Sequence, residues 1–362
     1  MSIFESFLLY LVVYLISSAL VYAGYKYKDK KLRAILLFCG ILVPTLLAGL
    51  RYGVGTDFFA YEYRYKYNIQ MNFAEMFALR GWLNSWTIWA ISKIAYLFGG
   101  VSVFFGLYAF FTYFFFVLAL KEYKNLNYFF VTFGFLMSHF TGGFNAMRQA
   151  LAVSIIFWGL KYVYRRNFFK YFIVVLFATA THTTALIALP IYFLYSDNNT
   201  KKIWNIKSAA AVIIAFIGAL SVAKLASLLG EIELFGLSHY EMYTKEVAGN
   251  NYTFLLLLLI LGFVLLFQQE FVGADQKYRL LIVLFTIGVC LELSGYFSAY
   301  VKRIGDYFNN IIDVVLIFQI PLFFKGKSRG IAYIFGFIYV VLLFLGLYVI
   351  LGQANIVPYR IR

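Results

Sequence analysis

Apolar runs of membrane length follow one another along this chain with only short polar breaks, and no other feature limits its fold as strongly. Ile3–Gly24, Val101–Leu120, Leu280–Phe297 and Ile331–Leu351 each approach or reach the ~20 residues needed for one bilayer crossing. No water is available there to bond the backbone, so each run must form a helix. Composition agrees: 63% of the 362 residues are hydrophobic, 22% aromatic and only 13% charged, which excludes a water-soluble domain. The expected fold is all-α, a polytopic helical integral membrane protein with about 12 transmembrane helices. An interfacial or re-entrant helix is expected in addition. One transmembrane domain should occupy residues 1–362.

The net charge of +15 does not point to nucleic acid, because the Lys and Arg residues are scattered through short inter-helix loops. That distribution fits the positive-inside rule and an anionic lipid surface. Cys39 and Cys290 fall inside apolar runs, and the three histidines have no metal-ligand spacing. No P-loop is present. No metal or cofactor is therefore expected.

The basic loops set the topology. Ile3–Gly24 has no basic residue before it and Lys26, Lys28, Lys30, Lys31 and Arg33 after it. It reads as an uncleaved first span with its N-terminus outside. A second span, about Leu32–Leu50, returns to the outside and delivers the tyrosine-rich segment Arg51–Tyr67. Gly81–Phe98, with Trp82, Trp86 and Trp89 at helical spacing, should lie at the interface. Phe168–Tyr195 is long for one span and short for two, and basic residues flank both ends. This predicts a hairpin of two short helices with His182 at its tip; one tilted helix is the alternative. The acidic loop Gly230–Asn251 is expected outside. Ser208–Leu229, Tyr252–Phe267, Leu280–Phe297, Asp306–Phe324 and Ile331–Leu351 supply the remaining crossings.

The unusual polar residues then gather on the outer side. Thr141–Leu160 begins with two glycines and Asn145, a natural N-cap, which puts Arg148 and Gln149 at the head of an apolar helix. A guanidinium at a helix N-terminus suits phosphate or carboxylate; the alternative is that Arg148 snorkels to the headgroups. His182 and Thr183 head a second inward-running helix, and Lys302, Arg303 and Asp306 a third. Arg51 and Asp57 follow the second span. Arg51 is also favourable simply as a cation at a helix C-terminus, and Asp57 as an Asx-turn residue. His139 and His239 have no constellation around them, and Arg360 and Arg362 read as a solvated tail.

Four segments in order carry a family resemblance: Arg51–Tyr63 (RYGVGTDFFAYEY), Phe144–Phe157 (FNAMRQALAVSIIF), Phe168–Leu194 and Lys302–Asn310 (KRIGDYFNN). They resemble the EpsG family, the Wzy-type polymerases of bacterial exopolysaccharide, capsule and O-antigen. The resemblance implies a glycosyltransferase in the bacterial cytoplasmic membrane, with its active site facing outward. Its substrate would be an undecaprenyl-diphosphate-linked oligosaccharide, and its surroundings membrane lipids. A growing glycan would pass from its carrier to the next lipid-linked repeat unit. Arg51, Arg148 and Arg303 match the family's basic positions and would hold the diphosphate; His182 matches its histidine. His182 is the first choice as catalytic base and Asp57 the second. Gln149, Asn145, Lys302, Tyr61, Tyr240 and Glu241 are further substrate-binding candidates, the tyrosines by stacking on sugars or as an ordinary aromatic belt. A chain-length regulator is left open as a partner.

Three other classes compete. A flippase for the same lipid should place charges through facing helices and often shows repeats, and none is visible here. A membrane acyltransferase would use His139 or His182. A ligase that moves finished glycan to another acceptor shares nearly all the chemistry.

Overall fold

The computed structural model describes residues 1–80, 86–123, 126–195, 203–230, 252–296 and 302–362, the side chains of 80, 222–230 and 252 excepted. Among them every regular element is helical, and β-type pairing is confined to a bridge between Arg51 and Ile361. Five helical segments have the length and apolarity to cross a bilayer: Ile3–Lys26, Lys30–Leu50, Val101–Leu120, Lys277–Tyr296 and Gly326–Ile350. A bent pair and five shorter apolar helices make up much of the remainder. This is a multi-pass helical membrane protein. The twelve crossings expected from hydropathy are not matched by twelve long helices, because several apolar runs are broken inside. Two compact units are formed, one by Met1–Leu189 with Phe324–Arg362 and the other by Pro190–Phe323.

The first unit opens with α1 (Ile3–Lys26) and α2 (Lys30–Leu50), packed against each other. Ser2 and Glu5 close a reciprocal capping box on α1, and Asp29 caps α2 by accepting from the Leu32 amide. α1 is inverted relative to a helix in water. Phe4, Val12 and Ile16 are exposed, while Ser6, Tyr10, Tyr14, Ser17 and Ser18 are buried. Lipid takes the apolar face and the protein interior takes the polar one. Pro44 lies inside α2 and has no N–H to give to the Gly40 carbonyl. Ser17 Oγ of α1 supplies that missing donor at 2.7 Å.

Next come α3 (Phe58–Gln70), α4 (Phe73–Arg80), α5 (Trp86–Phe98) and α6 (Val101–Leu120). α5 has 13 residues and is therefore ~20 Å long, too short for a hydrocarbon core of ~30 Å. This agrees with a non-crossing helix there; Gly81–Ser85 lie outside the described residues. Trp89 and Lys93 of α5 donate to the carbonyls of Met71 and Ile69. α7 (Tyr128–Phe135) runs on into a π turn, Leu136–Phe140, and the two together are shorter than a full span.

α8 (Met147–Tyr164) is buried throughout from Gln149 to Phe157 and packs against α6 and α9 (Phe168–Thr181). Arg148, Gln149 and Lys161 keep it out of the long apolar set, yet it is the interior helix of this unit. Its N-cap is Ala146 and not Asn145, because the Asn145 side chain is turned toward another loop. After α9 a 3-10 helix, Thr183–Ala188, doubles back: the Tyr171 hydroxyl donates to the Ala188 carbonyl at 2.8 Å. A straight helix would hold residues 17 apart at ~25 Å. The chain therefore makes the hairpin, with His182 at the break.

The second unit contains α10 (Ile191–Leu194), α11 (Ile206–Gly230), α12 (Tyr252–Leu266), α13 (Gln268–Ala274), α14 (Lys277–Glu292) and α15 (Ile312–Gln319). The axis bends by 66° between α12 and α13. α14 is its buried centre, and Tyr278 on it donates to Gln319 Oε1 at 2.8 Å. The helix expected from Asp306 starts only at Ile312; Lys302, Arg303 and Asp306 sit in the turns before it.

Ser17→Ala should cost about 1–2 kcal/mol by orphaning the Gly40 carbonyl. In a Pro44→Ala background the part of that loss due to Gly40 should vanish, since an alanine at this position restores the N–H, while the part due to the Tyr113 hydroxyl, which also bonds Ser17 Oγ at 3.0 Å, remains in both. Thermal unfolding of the four proteins of this cycle tests it, and equal losses in both backgrounds would refute the pairing.

Candidate functional site

Arg148 sits in the first turn of α8, half-buried, and its Nε donates to the Thr181 carbonyl at 3.1 Å. That carbonyl is at the end of α9, where helix termini leave backbone oxygens without internal partners. One residue on, His182 ends α9, and its Nδ1 lies 2.7 Å from Thr184 Oγ1. The break in the hairpin thus places His182 one residue beyond the carbonyl that Arg148 holds. Thr87 of α5 holds the preceding carbonyl, Ala180, at 3.2 Å.

Tyr61 of α3 reaches the Arg148 backbone, and Asp57, just ahead of α3, acts on Tyr61. Burial pushes the Tyr61 hydroxyl above its ordinary range, with Arg148 and Arg64 opposing and Asp57 adding to the rise. Asp57 precedes α3 but makes no side-chain cap bond, so the Asx-turn alternative does not hold for it. Instead Asn145 Oδ1 accepts from the Asp57 amide at 3.0 Å and from the Thr56 hydroxyl at 2.6 Å. Asn145 therefore staples the Arg51–Asp57 loop to the entry of α8. Gly55 permits the close approach: its φ is +97°, and a Cβ there would stand 2.9 Å from the Phe144 carbonyl oxygen.

Arg51 lies behind this cluster, 3% exposed. Its guanidinium is sandwiched between the rings of Phe105 and Phe144, 4.7 and 4.2 Å from their centroids, and donates to the Phe144 carbonyl at 3.1 Å. No carboxylate among the described residues pairs with it. Burial pulls its pKa down to about 10, so it stays a cation at neutral pH. Cation–π contact and the carbonyl stabilise that charge, and Arg51 props the turn that leads into α8.

The tail expected to be solvated is instead built in. The Tyr52 amide donates to the Arg360 carbonyl and the Arg362 amide to the Leu50 carbonyl. The Tyr359 hydroxyl bonds the Leu47 carbonyl at 2.7 Å. The end of α2 thus finds its missing donors in the last residues of the chain. Gly55 and Thr56 donate to the carbonyls of Asn355 and Ala354. Arg362 pairs with Glu62 at 2.7 Å. Burial works against the Glu62 carboxylate, but Arg362 and Lys66 outweigh it and hold the carboxyl below its usual range.

Two residues escape sequence reading. Thr87 and Tyr108 occupy ordinary-looking positions in α5 and α6, and no motif marks either. Tyr108 is 1% exposed. Its electrostatic neighbours are Arg148, Tyr61 and Arg64, and Thr87 stands beside it. Gln149 is 3% exposed, buried within the first unit. His139 is a packing residue, with Nε2 at 3.1 Å from the Ala150 carbonyl and its ring against Phe135. Tyr240, Glu241 and His239 lie outside the described residues.

In the second unit Lys302 pairs with the buried Glu292 at 2.9 Å, which gives it a structural partner. The turn that carries it presses on α14 at Gly288, where a Cβ would meet the Asn309 amide at 2.9 Å. Arg303 is exposed at that turn. Burial first, and Glu292 second, push the Asp306 carboxyl up to about 7, against Lys302 and Arg303.

A chain ending at Tyr359 should lose roughly 2 kcal/mol or more, since two backbone bonds and an ion pair go together; melting midpoints test this, and an unchanged midpoint would make the tail dispensable. For Asp306 the folded state binds the proton more tightly than the unfolded state. Its contribution is complete below its ordinary pKa of 3.8 and lost as pH rises through about 7. Asp306→Asn should flatten the fall of the melting midpoint between pH 4 and 8 and raise it at pH 8. Parallel pH profiles for the two proteins would contradict this.

The comparison with known proteins extends beyond these motifs. No curated protein and no solved structure matches the chain. The model of the EpsG family matches residues 34–361, nearly the whole length, taking in the Arg51–Asp57 loop, α8, the His182 break and the Lys302–Asn310 turn. The chain belongs to the EpsG family, whose members are Wzy-like polysaccharide polymerases.

Proposed function

We propose that this protein transfers a growing glycan from an undecaprenyl diphosphate carrier onto the terminal sugar of the next lipid-linked repeat unit, at the outer face of the bacterial cytoplasmic membrane. The observation that carries the reading is the Arg148 guanidinium bonded to the Thr181 carbonyl where α9 breaks at His182, with Tyr61 beside it. In the reaction the acceptor hydroxyl oxygen bonds the anomeric carbon and the bond from that carbon to the diphosphate breaks. The electron pair stays on the diphosphate, so negative charge grows on the leaving group. A guanidinium already fixed by the Thr181 carbonyl stabilises that charge without moving. Arg51 supports it indirectly, through Phe144 and the entry to α8. Arg303 is retained as an anion-binding cation of the second unit, while Lys302 is committed to Glu292.

The acceptor proton needs a base. In the tautomer where His182 Nδ1 donates to Thr184, Nε2 carries the lone pair that takes it. Asp57 is the second choice, with a carboxylate not used as a helix cap. Tyr61, and Tyr240 with Glu241 in the acidic loop, would contact sugar hydroxyls. The single transmembrane domain, membrane lipids and a chain-length regulator complete the proposed setting.

A gel of surface polysaccharide tests this in cells lacking the gene and complemented with variants. Deletion should collapse long chains to single repeat units, Arg148→Ala should not restore them, and Arg148→Lys should fail if the contact is bidentate. His182→Ala should slow polymerisation by roughly a hundred- to ten-thousandfold; normal chains in that variant would move the base to Asp57. Full-length chains in the deletion strain would reject a polymerase, and repeat units stranded on the inner face would favour a flippase.

A further inference from the structure

Arg51 leaves one of its donors unused. Its Nη2 donates to the Phe144 carbonyl at 3.1 Å, but Nε is buried and has no hydrogen-bond partner. The rings of Phe105 and Phe144 attract the charge, yet they give the Nε hydrogen no acceptor. The titratable groups that bear on the guanidinium most strongly are Tyr10, Tyr359, Tyr14 and Tyr61, all uncharged phenols at pH 7. No carboxylate among the described residues pairs with it. A cation enclosed in this way calls for a counter-charge as well as an acceptor.

A cavity of about 10 Å³ lies beside this group. Arg51, Phe105, Tyr108, Thr112, Phe144 and Met147 are among its walls, so it sits where the end of α2, α6 and the entry to α8 meet. A phosphate group does not fit in that volume, whereas one water molecule or one halide ion does. The hydroxyl hydrogens of the wall are engaged elsewhere. Thr112 donates to the Tyr108 carbonyl at 2.8 Å, and the Tyr108 hydroxyl bonds Thr87. Arg51 Nε is the donor left over, and it carries positive charge. Water would satisfy the N–H and leave the charge uncompensated; a monatomic anion answers both. We propose that this cavity is a binding site for one halide ion, chloride in the cell, which accepts from Arg51 Nε and ties the end of α2 to α6 and the entry of α8. Such a site would serve the fold whatever reaction the protein catalyses.

The test uses purified full-length protein in lipid nanodiscs, melted in sodium chloride, sodium bromide or sodium gluconate at equal ionic strength. Chloride or bromide should raise the wild-type midpoint above that in gluconate by roughly 2–4 °C, and the rise should grow with halide concentration. Arg51→Gln should lose this rise. Should that variant fail to fold, Ala109→Val narrows the cavity while keeping Arg51, and it should lose the rise as well. Wild-type crystals grown in sodium bromide should show an anomalous peak at hydrogen-bonding distance from Arg51 Nε. Equal midpoints in the three salts overturn the proposal. A halide effect of undiminished size in Arg51→Gln places the ion elsewhere and overturns it too. An ordered water at Nε in the bromide crystals assigns the cavity to water, with the same consequence.

Discussion

Backbone polar groups inside a bilayer must find partners within the protein, and the architecture of the first unit follows from that requirement. Three places where a helix gives up its own hydrogen bonds are met by specific donors. Ser17 covers the carbonyl that Pro44 leaves open. The Tyr359 hydroxyl and the Arg362 amide cover the end of α2. Thr87 and Arg148 cover the end of α9. The last case also places a charge. A guanidinium that satisfies a helix terminus is held at the break between α9 and the 3-10 helix.

Charge is handled differently in the two arginines that matter most. Arg51 is nearly fully enclosed and is stabilised by aromatic faces and a carbonyl, so it supports the backbone that leads into α8. Arg148 is half-buried, bonded to the Thr181 carbonyl that precedes His182, and beside Tyr61. Residue type alone does not separate these roles; enclosure does. The same distinction applies to Lys302, whose pairing with Glu292 makes it part of the scaffold of the second unit.

The residues of the candidate site stand out in the sequence because ionisable groups are rare in apolar runs and therefore conspicuous. Arg148, His182 and Asp57 stand out on that ground, and the hairpin at His182 follows from the basic residues on both of its flanks. Tyr108 and Thr87 were not legible, since a tyrosine and a threonine in aromatic-rich helices look like packing. Thr87 matters through its bond to the Ala180 carbonyl, 93 residues away, and spacing does not encode that. Asn145 was misassigned for a related reason: its side chain can cap its own helix or hold another loop, and the nearby Thr56 and Asp57 amide took it. The tail was misread because two arginines at a chain end resemble a solvated segment, whereas the bare carbonyls of α2 recruit it.

The sequence by itself determined that the chain is helical, lies in a membrane and carries a small set of charges to be explained, because hydropathy and the cost of unbonded backbone leave no other choice. The tertiary structure decided where each helix breaks and which side chains answer the break. Those outcomes depend on contacts between residues far apart in the chain, such as Ser17 with Gly40, Tyr10 with Ile356 and Glu62 with Arg362. A local pattern carries no record of them.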